Sequence, residues 1–299
     1  MHDLATIHSP GAADALLVEA AALRAQPQFD AAVIAYCAGL VRFREQTRPM
    51  SKLNANETRL RVIGYLLHLS AVSRQAGGDG GVSYGTLRDI SAGEVSDRVL
   101  RTMLALLQLL GLVECWRSVS DRRVKYYRPS PRMLELARGM YANSAAALDC
   151  IEPAAERERR LARDPVFFNR MLVEAGRAHA VDPPASRMPD FIAFFGAREG
   201  AGAVSTRLLL GALTGSPVDS RAALARQFGL SKSQVADVIA AGVGLGYFSL
   251  DPTALPTPTP ALRDHLTRWI SIELAFMARH LRAEGPSSRH NDDTRRKHA

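Results

Sequence analysis

Cysteine is scarce and scattered: Cys37, Cys115 and Cys150 are the chain's 3, far apart and without a Cys-x-x-Cys pair. An odd, dispersed set is neither a disulfide framework nor a zinc cage, and it suits a reducing cytoplasm. Each thiol reads as a small buried apolar side chain. Long apolar runs are also missing. A membrane span needs about 20 apolar residues in a row, and the best stretch, Ala31 to Val41, falls well short and contains Gly39. Met1 to Gln26 has no basic flank and is interrupted by Asp3, Asp14 and Glu19, so neither export nor a membrane partner is expected. Aromatics make up 6% of the chain, too few for a stacking platform along single-stranded nucleic acid. The histidines show no His-x-x-x-His or His-Glu-x-x-His spacing. Gly196 to Gly202 and Gly242 to Gly246 lack the Lys-Ser/Thr of a phosphate loop. Metals and cofactors are therefore not expected. His68 and His265 take hydrogen-bonded structural roles on helices, and Phe191, Phe194 and Phe195 read as core.

What is present is a globular mixture, 47% hydrophobic and 23% charged over 299 residues, enough for one large domain or two small ones. Lys and Arg exceed Asp and Glu by 38 to 30, a formal charge of +8. Such an excess favours polyanionic partners, nucleic acid first.

Apolar spacing makes the chain mainly α. Helices are expected over Ala12–Arg24, Phe29–Gln46 and Asn54–Ser73, followed by a loop rich in glycine at Gly77, Gly78, Gly80 and Gly81. A short helix, Tyr84–Ile90, a turn and a longer helix, Ser96–Leu110, come next. Ser96 is a fitting N-cap. Leu100, Met103, Leu104, Leu107 and Leu110 give the longer helix one apolar face, and Gly111 stops it. Leu112–Trp116 and Val124–Tyr127, joined by a polar tip, form a β-hairpin signature. Pro129 and Pro131 end the hairpin, and Arg132–Cys150 returns to helix.

The second half repeats this order. Ser231 stands where Ser96 stood, 135 positions on. Val235, Val238, Ile239 and Leu245 match Leu100, Met103, Leu104 and Leu110, and Gly246 matches Gly111. Thr206-Arg207-Leu208 echoes Thr58-Arg59-Leu60 at a helix start, Val218–Phe228 parallels Val82–Ile90, and Ala261–Leu281 is the closing helix. The second hairpin, Ser249–Pro260, is rich in Pro and Thr and has no basic residue. Between the halves, Glu152–Arg163 reads as a solvated helix face, a helix runs from Asp164-Pro165 to Ala180, and Asp182–Pro189 is a linker. The implied organisation is an N-terminal helical scaffold over 1–53, a first winged helix-turn-helix over 54–151, and a helical linker over 152–197. A second winged helix-turn-helix follows over 198–284, then a disordered tail over 285–299.

Ser96-Asp97-Arg98-Val99-Leu100-Arg101-Thr102-Met103-Leu104, Leu110-Gly111-Leu112-Val113-Glu114 and Ser120-Asp121-Arg122-Arg123 together resemble the MarR-type transcriptional regulators. The resemblance covers about Val82 to Pro131. It implies that the first stretch is a recognition helix, that the Leu-Gly-Leu-Val turn leads into the wing, and that the Asp-Arg-Arg tip places an arginine in the minor groove. Members of that family carry one copy and pair through terminal helices. Two copies here leave open a monomer with an internal pseudo-two-fold or a homodimer.

The residues support the same reading unaided. Ser96, Asp97, Arg98, Arg101 and Thr102 lie opposite the apolar stripe, and such a face fits the major groove, where Arg contacts guanine. The hairpin carries Arg117, Arg122, Arg123, Lys125 and Arg128 against Glu114 and Asp121, suited to phosphates and a narrow minor groove. Asp121 is expected to orient a neighbouring arginine. In the second copy Ser231, Lys232, Ser233, Gln234 and Asp237 take the equivalent face, flanked by Arg221 and Arg226. There Ser231, Lys232 and Gln234 are the candidates, and weak DNA binding or a purely scaffolding role both stay open. The expected function is a sequence-specific, double-stranded DNA-binding transcription regulator of the cytoplasmic nucleoid, not an enzyme, with room for a small-molecule effector. A plasmid-type replication initiator with two winged domains and a winged-helix interaction scaffold are the alternatives. Gly81-Val82-Ser83-Tyr84-Gly85 matches a nucleophile elbow, but the elbow needs a buried strand before it, and a polar glycine loop stands there instead.

Overall fold

A computed structural model describes residues 10–48, 57–196, 198–218 and 220–282. The disordered tail expected over 285–299 lies outside the described residues. The protein is mainly α, with one three-stranded and one two-stranded antiparallel sheet. No described helix is long and apolar enough to cross a membrane.

Helices α1 (Pro10–Arg24), α2 (Phe29–Gln46) and α3 (Glu57–Gln75) open the described chain. Strand β1 (Val82–Ser83), α4 (Tyr84–Ile90), α5 (Asp97–Leu109), β2 (Val113–Arg117), β3 (Lys125–Pro129) and α6 (Pro131–Ile151) form a first unit. Helices α7 (Arg157–Arg163) and α8 (Pro165–Val181) cross to the second half. There α9 (Ala201–Thr214), α10 (Arg221–Phe228), α11 (Lys232–Gly244), β4 (Phe248–Leu250), β5 (Pro256–Pro258) and α12 (Pro260–His280) form a second unit. α6 packs on α2, α12 on α1, α3 on α8 and α9 on α2. One continuous apolar core runs through these contacts.

The two units are framed by the same bonds. Ser96 caps α5 by accepting from the Val99 amide, and Ser231 caps α11 by accepting from Gln234. Each of these helices ends at a left-handed glycine, Gly111 with φ 66° and Gly246 with φ 74°, a conformation glycine adopts without a Cβ penalty. After each hairpin a hydroxyl ties back to that glycine: Ser130 Oγ donates to the Gly111 carbonyl at 2.8 Å and Thr259 Oγ1 to the Gly246 carbonyl at 2.7 Å. The same two residues cap α6 and α12, each helix with a proline in its first turn. The packing is exchanged between equivalent sites. Leu107 and Val113 are both buried in the first unit. The matching positions are Gly242 and Phe248, and the Phe248 ring fills the space a Cβ at Gly242 would need. Large and small trade places while the filled volume is kept.

Several details differ from expectation. β1 pairs with β3, Val82 opposite Tyr127, and turns the expected hairpin into a three-stranded sheet. α9 begins at Ala201, not at Thr206, because Gly200 takes φ 86° there, with Leu230 packed where its Cβ would stand. The run 152–163 is not a purely solvated face. Arg157 is buried between Asp149 and Glu152, and Leu161 is fully buried. Burying that cation is tolerable because it is paired on both sides. The expected linker 182–189 forms a tight turn, Pro184–Arg187, that buries Ala185 and Met188. Phe194 and Phe195 are core; the side chain of Phe191 lies outside the described residues. Cys37 is fully buried, and burial pushes its thiol up to about 12. Cys115 and Cys150 are half-buried against the core. His68 is buried with Nδ1 3.2 Å from the Leu172 carbonyl oxygen, the structural role expected of it.

Candidate nucleic-acid interface

The α4–turn–α5 segment is built from the inside out. Leu87, Leu100, Met103, Leu104 and Leu107 bury their side chains, each worth about 1.5–3 kcal/mol of gross apolar burial. Glu94, in the turn, accepts from the Tyr65 hydroxyl at 2.6 Å and lies 3.4 Å from Arg61, which fastens the turn to α3. This burial leaves Ser96, Asp97, Arg98, Arg101 and Thr102 exposed along one side of α5.

Their side chains are not equally available. Ser96 Oγ is committed to the cap. Thr102 Oγ1 donates to the Arg98 carbonyl at 2.9 Å, so its hydroxyl proton is committed to the helix and only its acceptor lone pairs face outward. Arg101 is not loose either. Its Nε donates to Asp97 Oδ2 at 2.6 Å, and its guanidinium lies over the Tyr84 ring at 4.8 Å. Tyr84 donates to the other Asp97 oxygen at 2.5 Å. Those two hydrogen bonds, from Tyr84 first and Arg101 second, hold the Asp97 carboxyl below its ordinary range. Among the described residues the Arg98 side chain has no hydrogen-bond or ion-pair partner.

The hairpin places two of its cations, Arg117 and Lys125, on one face. Arg117 stands opposite Lys125, and Cys115 opposite Tyr127. Side chains two apart on a strand share a face. Arg117 and Lys125 therefore share the face of Tyr127, whose ring lies 6.3 Å from Tyr84, the residue under Arg101. The order from α5 to the hairpin is thus Arg101, Tyr84, Tyr127, then Lys125 and Arg117. The opposite face carries Trp116 stacked on Tyr126 at 5.9 Å, with the Arg128 guanidinium 5.2 Å from the indole.

The tip is a braced turn. Arg117 donates to the Arg122 carbonyl at 3.1 Å, and the Ser118 amide to the Val124 carbonyl. Asp121 Oδ1 accepts from the Arg123 backbone amide at 2.9 Å. Asp121 was expected to orient an arginine side chain; it orders the tip backbone instead. Arg128 is withdrawn by Glu114 at 2.7 Å and by Asp79 nearby. Among the described residues the side chains of Arg122, Arg123 and Lys125 have no hydrogen-bond or ion-pair partner and point to solvent.

In the second unit most expected site residues are spoken for. Ser231 and Gln234 close a reciprocal capping box. The other end of Gln234 donates to Glu199 at 2.7 Å. Arg221 donates twice to the Ala254 carbonyl, at 3.1 and 2.6 Å. Gln227 donates to Glu45 at 2.6 Å, and the Arg226 carbonyl accepts from Arg48, which docks α10 on the end of α2. Of the three candidates here only Lys232 is exposed without a partner among the described residues. Ser231 and Gln234 both serve the start of α11, where a helix leaves amides that need acceptors, and those bonds occupy part of what either side chain could offer a ligand. That Ser-x-x-Gln spacing, and the Asp97-to-Arg101 spacing of four, were both readable; the Tyr84 and Trp116 stacking was not.

Ser83 is the N-cap of α4; its Oγ accepts from the Thr86 amide at 3.1 Å. No cluster of three or more His, Cys, Asp or Glu side chains suited to a metal ion occurs among the described residues. No protein-family model, curated protein or solved structure matches this chain.

Proposed function

We propose that the protein is a sequence-specific, double-stranded DNA-binding transcription regulator built as two winged helix-turn-helix units of MarR-like pattern. α5 is the recognition helix, β2–β3 the wing, and the second unit a duplicate whose reading surface is turned to internal contacts. One observation carries this reading: the side chains of Arg98, Arg122, Arg123 and Lys125 are exposed cations without internal partners, in the unit whose apolar burial leaves one side of α5 exposed. Unpaired surface cations on a rigid frame gain most by displacing counterions from phosphates. The site of action is nucleoid DNA in the cytoplasm.

Chromatin immunoprecipitation with sequencing tests it, comparing wild type with Arg122→Glu/Arg123→Glu. Occupancy at promoters, lost in the variant, is the expected result. Equal occupancy in both would overturn the reading. The shared frame of the two units favours one other reading, a plasmid-type replication initiator. Occupancy confined to repeats beside a replication origin would select it.

A further inference from the structure

We infer that Tyr84, Asp97 and Arg101 form one guanine-reading unit, in which the carboxylate and the ring fix the arginine and its two terminal amino groups address guanine O6 and N7. The inference rests on the DNA-binding reading and names what that site recognises.

The geometry leads there step by step. Asp97 uses both oxygens, one for the Tyr84 hydroxyl at 2.5 Å and one for Arg101 Nε at 2.6 Å. Arg101 is bound through Nε alone, so its terminal NH1 and NH2 fork keeps no partner among the described residues, and its side chain is 66% exposed. Two parallel donors are what a guanine edge accepts in the major groove; adenine offers one acceptor and one donor there. The Tyr84 ring beneath the guanidinium removes rotamer freedom before any ligand arrives. Tyr84 also abuts Tyr127 of the hairpin at 6.3 Å, which registers the reading fork against the cationic tip. Asp97 is an exposed anion on the proposed reading face, where its charge opposes binding of a polyanion in general. Asp97 and Tyr84 are thus positioning residues: they trade general affinity for discrimination.

The test uses the purified full chain. A tight-binding duplex is first selected from a random pool. Each guanine is then replaced in turn by 7-deazaguanine, which lacks only the N7 acceptor, and fluorescence anisotropy measures the affinity. Wild type is expected to lose roughly 3- to 10-fold at one guanine, because one of the two hydrogen bonds of the bidentate contact is removed while O6 remains. Arg101→Ala should lose nothing further there. Asp97→Asn and Tyr84→Phe should shrink the guanine-to-adenine preference at that position while binding random duplex as well as wild type or better. A merely structural role would weaken both. If 7-deazaguanine costs nothing anywhere while Arg122→Ala/Arg123→Ala still weakens binding, the guanine unit is refuted and DNA binding stands. If no duplex binds, both fall together.

Discussion

The first hairpin ends in Arg117, Arg122, Arg123 and Lys125, all exposed and braced by bonds to the tip backbone that leave three of the four side chains without a partner among the described residues. The second ends in a turn closed on Asp251, which accepts from the Leu255 amide and from both the amide and hydroxyl of Thr253. Those bonds, the Leu255 amide first, hold the Asp251 carboxyl below its ordinary range, so this tip carries a firm negative charge. Both hairpins hang from the same serine cap, left-handed glycine and back-bonded hydroxyl. The frame sets the shape, and the residues that the frame does not use set the partner. Polar groups spent on caps and docking in the second unit are unavailable to any ligand, while the cations left unspent in the first define its surface.

The widest separation of the two units is expected from charge reversal. Arg122→Glu/Arg123→Glu should weaken duplex binding by about 100-fold or more, since it replaces phosphate attraction by repulsion. Lys232→Glu should change it by no more than about 3-fold, a single exposed charge screened by salt. Anisotropy titration of both variants decides. Comparable losses would erase the distinction.

The exchanged packing offers the next test. Gly242→Leu should destabilise the second unit by roughly 1–3 kcal/mol through overpacking against Phe248. Adding Phe248→Val recreates the Leu107 and Val113 pairing of the first unit and should recover much of that loss. Chemical denaturation of the single and double variants reads the coupling. Additive losses would mean the two sites are not equivalent.

Gly111→Ala and Gly246→Ala should each cost about 1 kcal/mol, because a Cβ at either site meets open space and only the left-handed backbone is penalised. Matched losses in thermal melts support a shared frame.

Acid should act on one side more than the other. His179 and His280 flank the Phe276 ring at 6.2 and 4.7 Å, and burial lowers both to about 4. An unfolded imidazole takes up its proton near pH 6.5. Between the two values the unfolded chain binds more protons, so stability is complete above about pH 6.5 and declines as the pH falls toward 4. Hydrogen exchange at pH 5 should show α12 amides losing protection ahead of α5, and His179→Gln should lessen that difference.

Much of this was legible from residue spacing. Phe29–Gln46 and Tyr84–Ile90 form helices with the bounds their apolar periodicity predicts, and Ser96, Ser231, Gly111 and Gly246 announce their caps and stops. What stayed hidden depends on distant partners. Strand β1 is two residues long, too short for any alternation, and exists only because β3 supplies its bonds. Arg157 looks solvated until Asp149 and Glu152 enclose it. The site was half legible: its cations could be counted and the Asp97-to-Arg101 spacing read, but which hairpin cations were already held by Glu114 or by the tip carbonyl required the fold.

The most direct measurement is the salt dependence of duplex affinity for wild type, Arg122→Ala/Arg123→Ala and Lys232→Ala. The hairpin variant should flatten the log–log slope by about 2, near 0.9 for each phosphate contact removed, while Lys232→Ala leaves it unchanged. Identical slopes for all three proteins would contradict the assignment of the first hairpin to the DNA backbone.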